Sequence, residues 1–309
     1  MTRYILFNFL YIMALNPSIL KTRSLTGAVF VIVMLAGVLW SPWSFFVLFT
    51  FIHFGCWIEY QKILTQINPE YAGISSLHRY SVMIAGWCMM LYFMNGGLHI
   101  GPVYLQYIGW WGCLGFLFLL VVGEIIQYRT LNIGNIWRSA LGLVYISLSL
   151  ALLGWLRSVF YGSHIPFADQ VPVLMIIGSI WINDTMAYIV GSLIGKTPLS
   201  AISPKKTWEG TIGGIVLAVG VMGLIGFLLR DASGWNIFAP GHWMAIAVIA
   251  SVTGTFGDLL ESKLKRMAGI KDSGHILPGH GGFLDRFDSL LVATPFAWLY
   301  LWLLIGSTF

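Results

Sequence analysis

The segment 262–288, SKLKRMAGIKDSGHILPGHGGFLDRFD, gathers Lys263, Lys265, Arg266, Lys271, Asp272, Asp285, Arg286 and Asp288 in a chain of which only 9% of the residues are charged. Carboxylates beside basic residues, with a Gly-His-Gly-Gly turn between them, are the parts needed to hold a divalent metal ion and the phosphates of a nucleotide. Asp258, Ser262 and Lys265 are spaced i, i+4, i+7, which puts a carboxylate, a hydroxyl and an ammonium on one face of a helix. Asp285 and Asp288, at i and i+3, can both point at one cation, with Arg286 beside them. Gly279, Gly281 and Gly282 around His280 allow a positive φ and a close approach of backbone to phosphate.

A further constellation lies upstream, in WINDTMAYIVG and SAISPKKTWEGTIGG. Asn183 and Asp184 sit deep in an apolar run, where a carboxylate is costly unless it is paired, metal-bound or facing a polar cavity. Ser203, Pro204, Lys205 and Lys206 supply a capping residue, a proline suited to a first helical turn and two cations just before the next apolar run. Each motif alone has a plain structural reading. DRFD suits the acidic first turn of a helix, the lysines suit an anchor at the membrane surface, and His280 suits a hydrogen-bonded structural role. Their co-occurrence argues for a site, and Asp258, which follows an apolar stretch from Trp243 to Phe256, has no cheap structural role.

These residues must be positioned by a membrane protein. The chain has 309 residues, is 58% hydrophobic and 15% aromatic, and has a mean hydropathy of +0.81. Cys56, Cys88 and Cys113 are few, odd in number and embedded in apolar runs, so they read as small core residues. Apolar spans are expected at 25–41, 43–60, 80–97, 103–126, 137–157, 172–194, 210–229, 243–260 and 289–307. Residues 4–15 are apolar but shorter than a span and lack a small-residue cleavage site, so they read as an interfacial helix rather than a signal peptide. With the N-terminus in the cytoplasm, fifteen Lys and Arg residues fall on the cytoplasmic side and only Arg157 and Arg230 outside it. The expected fold is an all-α integral membrane protein, a polytopic bundle of about nine transmembrane helices with a cytoplasmic-side polar cavity. It forms one integral domain over 1–309, with N-terminal helices in 1–170 and the helices and cytoplasmic loops that carry the chemistry in 171–309.

At this point the residues carry a resemblance. Ser262, Leu264, Lys265-Arg266, Lys271-Asp272, Gly274, Leu277-Pro278, His280-Gly281-Gly282 and Asp285-Arg286-Phe287-Asp288 resemble, without a gap over 27 residues, the C-terminal signature of the CDP-diacylglycerol synthases, or phosphatidate cytidylyltransferases. ISPKKTWEG with Gly213-Gly214, and NDTMAYIVG with Gly195-Lys196, resemble further stretches of that family in the expected order. The specific similarity covers about 180–290; the N-terminal half adds small echoes such as Lys21-Thr22-Arg23 and Glu59-Tyr60.

The resemblance implies that CTP and phosphatidic acid give CDP-diacylglycerol and pyrophosphate, with Mg²⁺ required and room for a second, monovalent cation such as K⁺. It implies Asp258, Asp285 and Asp288 at the metal, and Lys265, Arg266, Lys271, Ser262 and Arg286 around the phosphates. Lys205 and Lys206, with Ser203, would form a second phosphate clamp. Asn183, Asp184, Gly281 and Gly282 would line the substrate cavity, and His280 would position groups or handle protons. The expected partners are CTP, phosphatidic acid and the lipid bilayer, with no nucleic acid; a homodimer is compatible with the family. The expected location is a bacterial inner (cytoplasmic) membrane, with the active site on the cytoplasmic side. A CTP-dependent polyprenol or dolichol kinase is the nearest alternative, and a membrane transporter the alternative from another class.

Overall fold

The computed structural model describes residues 17–127, 132–164, 167–230, 238–274 and 281–308. Its main helices are α1 (Pro17–Trp40), α2 (Pro42–Ile67), the short α3 (Pro69–Ala72), α4 (Ser76–Phe93), α5 (Leu105–Gln127), α6 (Ile133–Ser158), α7 (Val171–Ile194), α8 (Trp208–Leu229), α9 (Pro240–Met267) and α10 (Leu284–Thr308). The only sheet among the described residues is a two-stranded hairpin, His99–Ile100 against Val103–Tyr104. The expected interfacial helix at 4–15 lies outside the described residues.

Seven of these helices are long and apolar enough to cross a membrane: α2, α5, α6, α7, α8, α9 and α10. The apolar stretch of α1, Leu25–Trp40, is shorter, and α4 opens on the polar residues His78, Arg79 and Ser81 and falls outside that set. Between the spans expected at 25–41 and 43–60, Ser41-Pro42 is a built helix start. Ser41 Oγ accepts from the Ser44 amide at 3.0 Å, Ser44 Oγ accepts from the Ser41 amide at 2.9 Å, and Pro42 occupies the first turn. The helices at 42–67 and 240–267 run beyond the apolar spans expected there, so Asp258, Ser262 and Lys265 do share one helix.

Two buried polar clusters in the N-terminal half are paired. His78 Nδ1 lies 2.6 Å from Glu124 and its Nε2 lies 2.8 Å from Ser139 Oγ, which ties α4 to α5 and α6. Arg157, one of the two cations that the charge count leaves outside the cytoplasmic set, is fully buried. It donates to the Val38 carbonyl at 3.1 Å and pairs with Asp169. Its charge serves packing, which is why it departs from the bias.

Small residues set the helix crossings that matter for the site. A Cβ at Gly210 of α8 would lie 2.7 Å from the Ala187 carbonyl and 2.9 Å from Gly191 Cα, so α7 and α8 meet backbone to backbone. A Cβ at Gly257 of α9 would lie 2.5 Å from the Asp288 carbonyl and 3.1 Å from Ser289 Cα of α10. Gly257→Ala therefore separates α9 from α10 and lowers stability by about 1–3 kcal/mol, read as a reduced thermal midpoint in detergent. An unchanged midpoint would show that the crossing can yield.

Candidate active site

The chemistry-bearing residues converge where the C-terminal end of α7, the loop 195–207, the second half of α9 and the start of α10 meet. Each element is fixed locally. The loop closes through Leu199 N to Lys206 O (2.8 Å) and Trp208 N to Thr197 O (2.9 Å). Glu209 accepts from the Lys196 amide, from the Thr197 amide and, at 2.9 Å, from the Thr197 hydroxyl. Pro204 was expected in the first turn of the next helix. Instead it lies in a turn of the loop, and the helix begins at Trp208 with Thr207 Oγ1 accepting from the Gly210 amide. The ring of loop hydrogen bonds outcompetes the proline's preference for a helix start, and it leaves Lys205 and Lys206 on a closed loop rather than on a helix face.

A cavity of about 520 Å³ opens between these elements, within the range of small-molecule sites. Of the residues singled out in the sequence, Asn183, Asp184, Ser203, Lys205, Lys206, Asp258, Asp285 and Asp288 line it. Asn183 is buried and donates to Asp184 Oδ1 at 3.3 Å, while its own Oδ1 has no hydrogen-bond partner among the described residues. Asp184 is exposed to the cavity. Lys206 pairs with Asp258. Burial pushes the Lys206 ammonium below its ordinary range, and Asp184 and Asp288 oppose that shift by favouring the charged form.

Three carboxyl groups, those of Asp258, Glu261 and Asp288, offer oxygens that all lie within 4.8 Å of one another. Glu261 is fully buried, and its Oε1 has no hydrogen-bond partner among the described residues. A buried acid with a spare oxygen beside two other acids is a poor structural device and a good hard-ligand set for a cation. The sequence reading passed over Glu261. Its signal was present, since Glu261 stands i+3 from Asp258 and i−4 from Lys265 on the same helix.

Asp285 has a different set of partners. Its Oδ1 takes Lys265 Nζ at 2.5 Å, and its Oδ2 takes the Ser273 amide at 2.9 Å and the Gly282 amide at 2.8 Å. Lys265 also meets Glu261 Oε2 at 2.5 Å, so its ammonium bridges α9 to α10 behind Asp285. Gly281 has the expected positive φ, +81°, and the Asp285 carboxyl fills the space a side chain there would take. Ser262 is half-buried on α9, Arg266 donates to the Ile270 carbonyl at 3.3 Å, and Lys271 is exposed. His280 lies outside the described residues.

Behind Asp184 a second space of about 370 Å³ opens between α1 and α7, with Thr26, Phe30, Trp181, Thr185 and Arg286 on its walls. A narrower gap of about 130 Å³ next to it is lined by Phe30, Trp181, Asp184, Arg286 and Asp288. The cavity and both of these spaces therefore share Asp184; the larger space is mainly apolar, and the narrower gap also shares Asp285 and Asp288.

A model of the cytidylyltransferase family matches residues 21–304, nearly the whole chain. The chain belongs to the cytidylyltransferase family. Among the relatives of this cytidylyltransferase-family member are the phosphatidate cytidylyltransferase of Thermotoga maritima, 39% identical over 134 residues, and chloroplastic phosphatidate cytidylyltransferase 4 of Arabidopsis thaliana, 41% identical over 133. A third, the phosphatidate cytidylyltransferase of Brucella abortus, is 35% identical over 188 residues. The matches cover 43, 42 and 59% of this chain and 50, 32 and 65% of those relatives. The family match takes in the cavity, its acids and its lysines together. It also takes in Glu59, whose contacts with the start of α10 the sequence could not reveal.

Proposed function

We propose that this protein is a phosphatidate cytidylyltransferase, working in a membrane with the polar cavity on the cytoplasmic side. The observation that carries the reading is the shared wall. A cavity lined by two lysines and by the carboxyls of Asp184, Asp258, Asp285 and Asp288 meets, at Asp184, a mainly apolar space that reaches Arg286. Such a junction suits a reaction between a water-soluble triphosphate and a lipid that keeps its acyl chains in the bilayer.

In that reaction a phosphate oxygen of phosphatidic acid attacks the α-phosphorus of CTP. The new P–O bond forms as the bond to the β-phosphate oxygen breaks, and pyrophosphate leaves with the electron pair. Both reactants are anions, so the protein's work is charge neutralisation and in-line positioning. Lys205 and Lys206, with Ser203, hold the triphosphate from the loop, and Asn183 and Asp184 line its path. Asp258, Glu261 and Asp288 would hold Mg²⁺, which when bound supplies positive charge to the phosphates. Asp285, through its amide and Lys265 contacts, keeps the start of α10 against α9. Arg286 receives the lipid phosphate from the apolar side, in the bidentate geometry that a guanidinium favours. α1 and α4 complete a nine-helix membrane domain with the seven long apolar helices, which returns the charged loops to one side.

The test is incubation of the purified protein with phosphatidic acid and CTP labelled at the α-phosphate, with and without Mg²⁺. Mg²⁺-dependent label in the lipid with release of pyrophosphate is expected. No label in the lipid, together with transfer of label from γ-labelled CTP to an added polyprenol alcohol, would replace the reading by a lipid kinase. In the same assay Arg286→Gln is expected to raise the KM for phosphatidic acid about tenfold and leave the KM for CTP within about threefold. Equal shifts in both would remove Arg286 from the lipid side.

A further inference from the structure

Glu59 of α2 is 3% exposed, and its carboxyl group touches neither cavity. It accepts three hydrogen bonds from residues more than two hundred positions away: from Ser273 Oγ at 2.6 Å, from the Phe283 amide at 2.9 Å and from the Leu284 amide at 2.8 Å. Phe283 directly precedes α10 and Leu284 begins it, and their amides are among those a helix start leaves without an intrahelical partner. A carboxyl group there satisfies both and meets the positive end of the helix dipole.

The surroundings are shaped to receive it. A Cβ at Gly274 or at Gly282 would run into the Glu59 carboxyl, and a Cβ at Gly55, one turn earlier on α2, would run into the Phe283 ring. Gly55 and Glu59 thus form a socket on one face of α2, into which the turn before α10 fits. The socket is joined to the site by Ser273. The Ser273 amide donates to Asp285 Oδ2 at 2.9 Å, and the single hydroxyl proton of Ser273 is left for the closer acceptor, Glu59. Asp285 in turn holds Lys265, and Asp288 lies one turn further along α10.

We propose that Glu59 is a positioning residue that fixes where α10 begins, and thereby sets where Asp285 and Asp288 stand against α9. The socket itself needs no assumption about the reaction; its effect on turnover rests on the proposed cytidylyltransferase activity. The contribution comes from α2, far from the signature residues in sequence, so the N-terminal helices take part in building the site.

The experiment pairs two readouts on the full chain in detergent, for Glu59→Ala and Glu59→Gln. The first is amide hydrogen exchange of the peptide containing Phe283 and Leu284. Glu59→Ala is expected to raise it at least about tenfold, while peptides from the middle of α2 and α9 are unchanged. The second is CMP transfer to phosphatidic acid. Glu59→Ala is expected to lower kcat by about 100-fold, with the KM for CTP within about threefold because Lys205 and Lys206 sit on a separate loop. Glu59→Gln keeps one acceptor oxygen and is expected to recover about tenfold of the lost kcat.

Unchanged exchange at Phe283 and Leu284 in Glu59→Ala would overturn the anchor. Faster exchange there with an unchanged kcat would overturn the positioning role. If Glu59→Ala does not fold, Glu59→Gln carries the test: faster exchange confined to the start of α10 with a lowered kcat upholds the proposal, and wild-type values of both overturn it. A wild-type protein that transfers no CMP, with exchange raised only at Phe283 and Leu284 in the variants, would uphold the socket and count against the proposed reaction instead.

Discussion

Asp288→Asn is expected to lower CMP transfer by about 10³-fold while the protein becomes no less stable. The two effects have opposite signs for one reason. Asp288 is buried, and its carboxyl oxygen lies within 4.8 Å of those of Asp258 and Glu261, so three acids crowd one place. Crowded acids repel one another and are tolerated where a cation is bound in turn. Asparagine keeps the shape, and its Oδ1 still accepts from the Ser289 amide, a contact of 2.5 Å in the parent. It removes one negative charge from the cluster, which relieves repulsion in the folded protein and weakens the hold on a divalent cation. Thermal unfolding in detergent and the labelled-lipid assay together check this. Activity within about threefold of the parent would remove Asp288 from the reaction. A loss of activity matched by a loss of stability would make it a structural residue.

Lys265→Ala is expected to have a large effect of another kind, lowering stability by about 3–5 kcal/mol and transfer by at least about 100-fold. Lys265 Nζ stands 2.5 Å from Glu261 Oε2 and 2.5 Å from Asp285 Oδ1, all three side chains being largely buried. Without the ammonium, two acids on neighbouring helices face each other with no positive charge between them. The helices must part, or one acid must take up a proton. Adding Glu261→Gln to Lys265→Ala removes one of the opposed charges and is expected to restore part of the stability but not the activity. The two substitutions would then be non-additive in unfolding, as expected for groups in contact. Purely additive losses would show that the three side chains do not act together.

The helices and the C-terminal cluster were legible in the chain because their signals are local. Long apolar runs give membrane helices by length alone, and spacings such as Asp258 to Ser262 to Lys265 need only a helix to share a face. Asn183 and Asp184 were legible for a related reason, since polar side chains deep in an apolar run must have something polar to meet. What stayed hidden depended on distant or competing contacts. Pro204 was misread because hydrogen bonds between Glu209 and the loop decide where the helix starts, and no propensity encodes them. Asp285 looks equivalent to Asp288 in the sequence, yet the amides of Ser273 and Gly282 and the Lys265 ammonium draw its carboxyl into a different set of contacts. Glu59 is the clearest case. Its partners are 214, 224 and 225 residues away, a separation that no periodicity or motif can bridge.

The glycine contact between α7 and α8 reaches beyond packing. With backbones touching and the loop between them closed by its own hydrogen bonds, Lys205 and Lys206 have little freedom relative to the two helices. They travel with the pair as one body. α8 has 22 residues and is about 33 Å long, enough to reach from the Lys205-Lys206 loop across a typical hydrocarbon core. Any change in the angle of the α7–α8 pair would carry both cations with it, relative to the acids of α9 and α10.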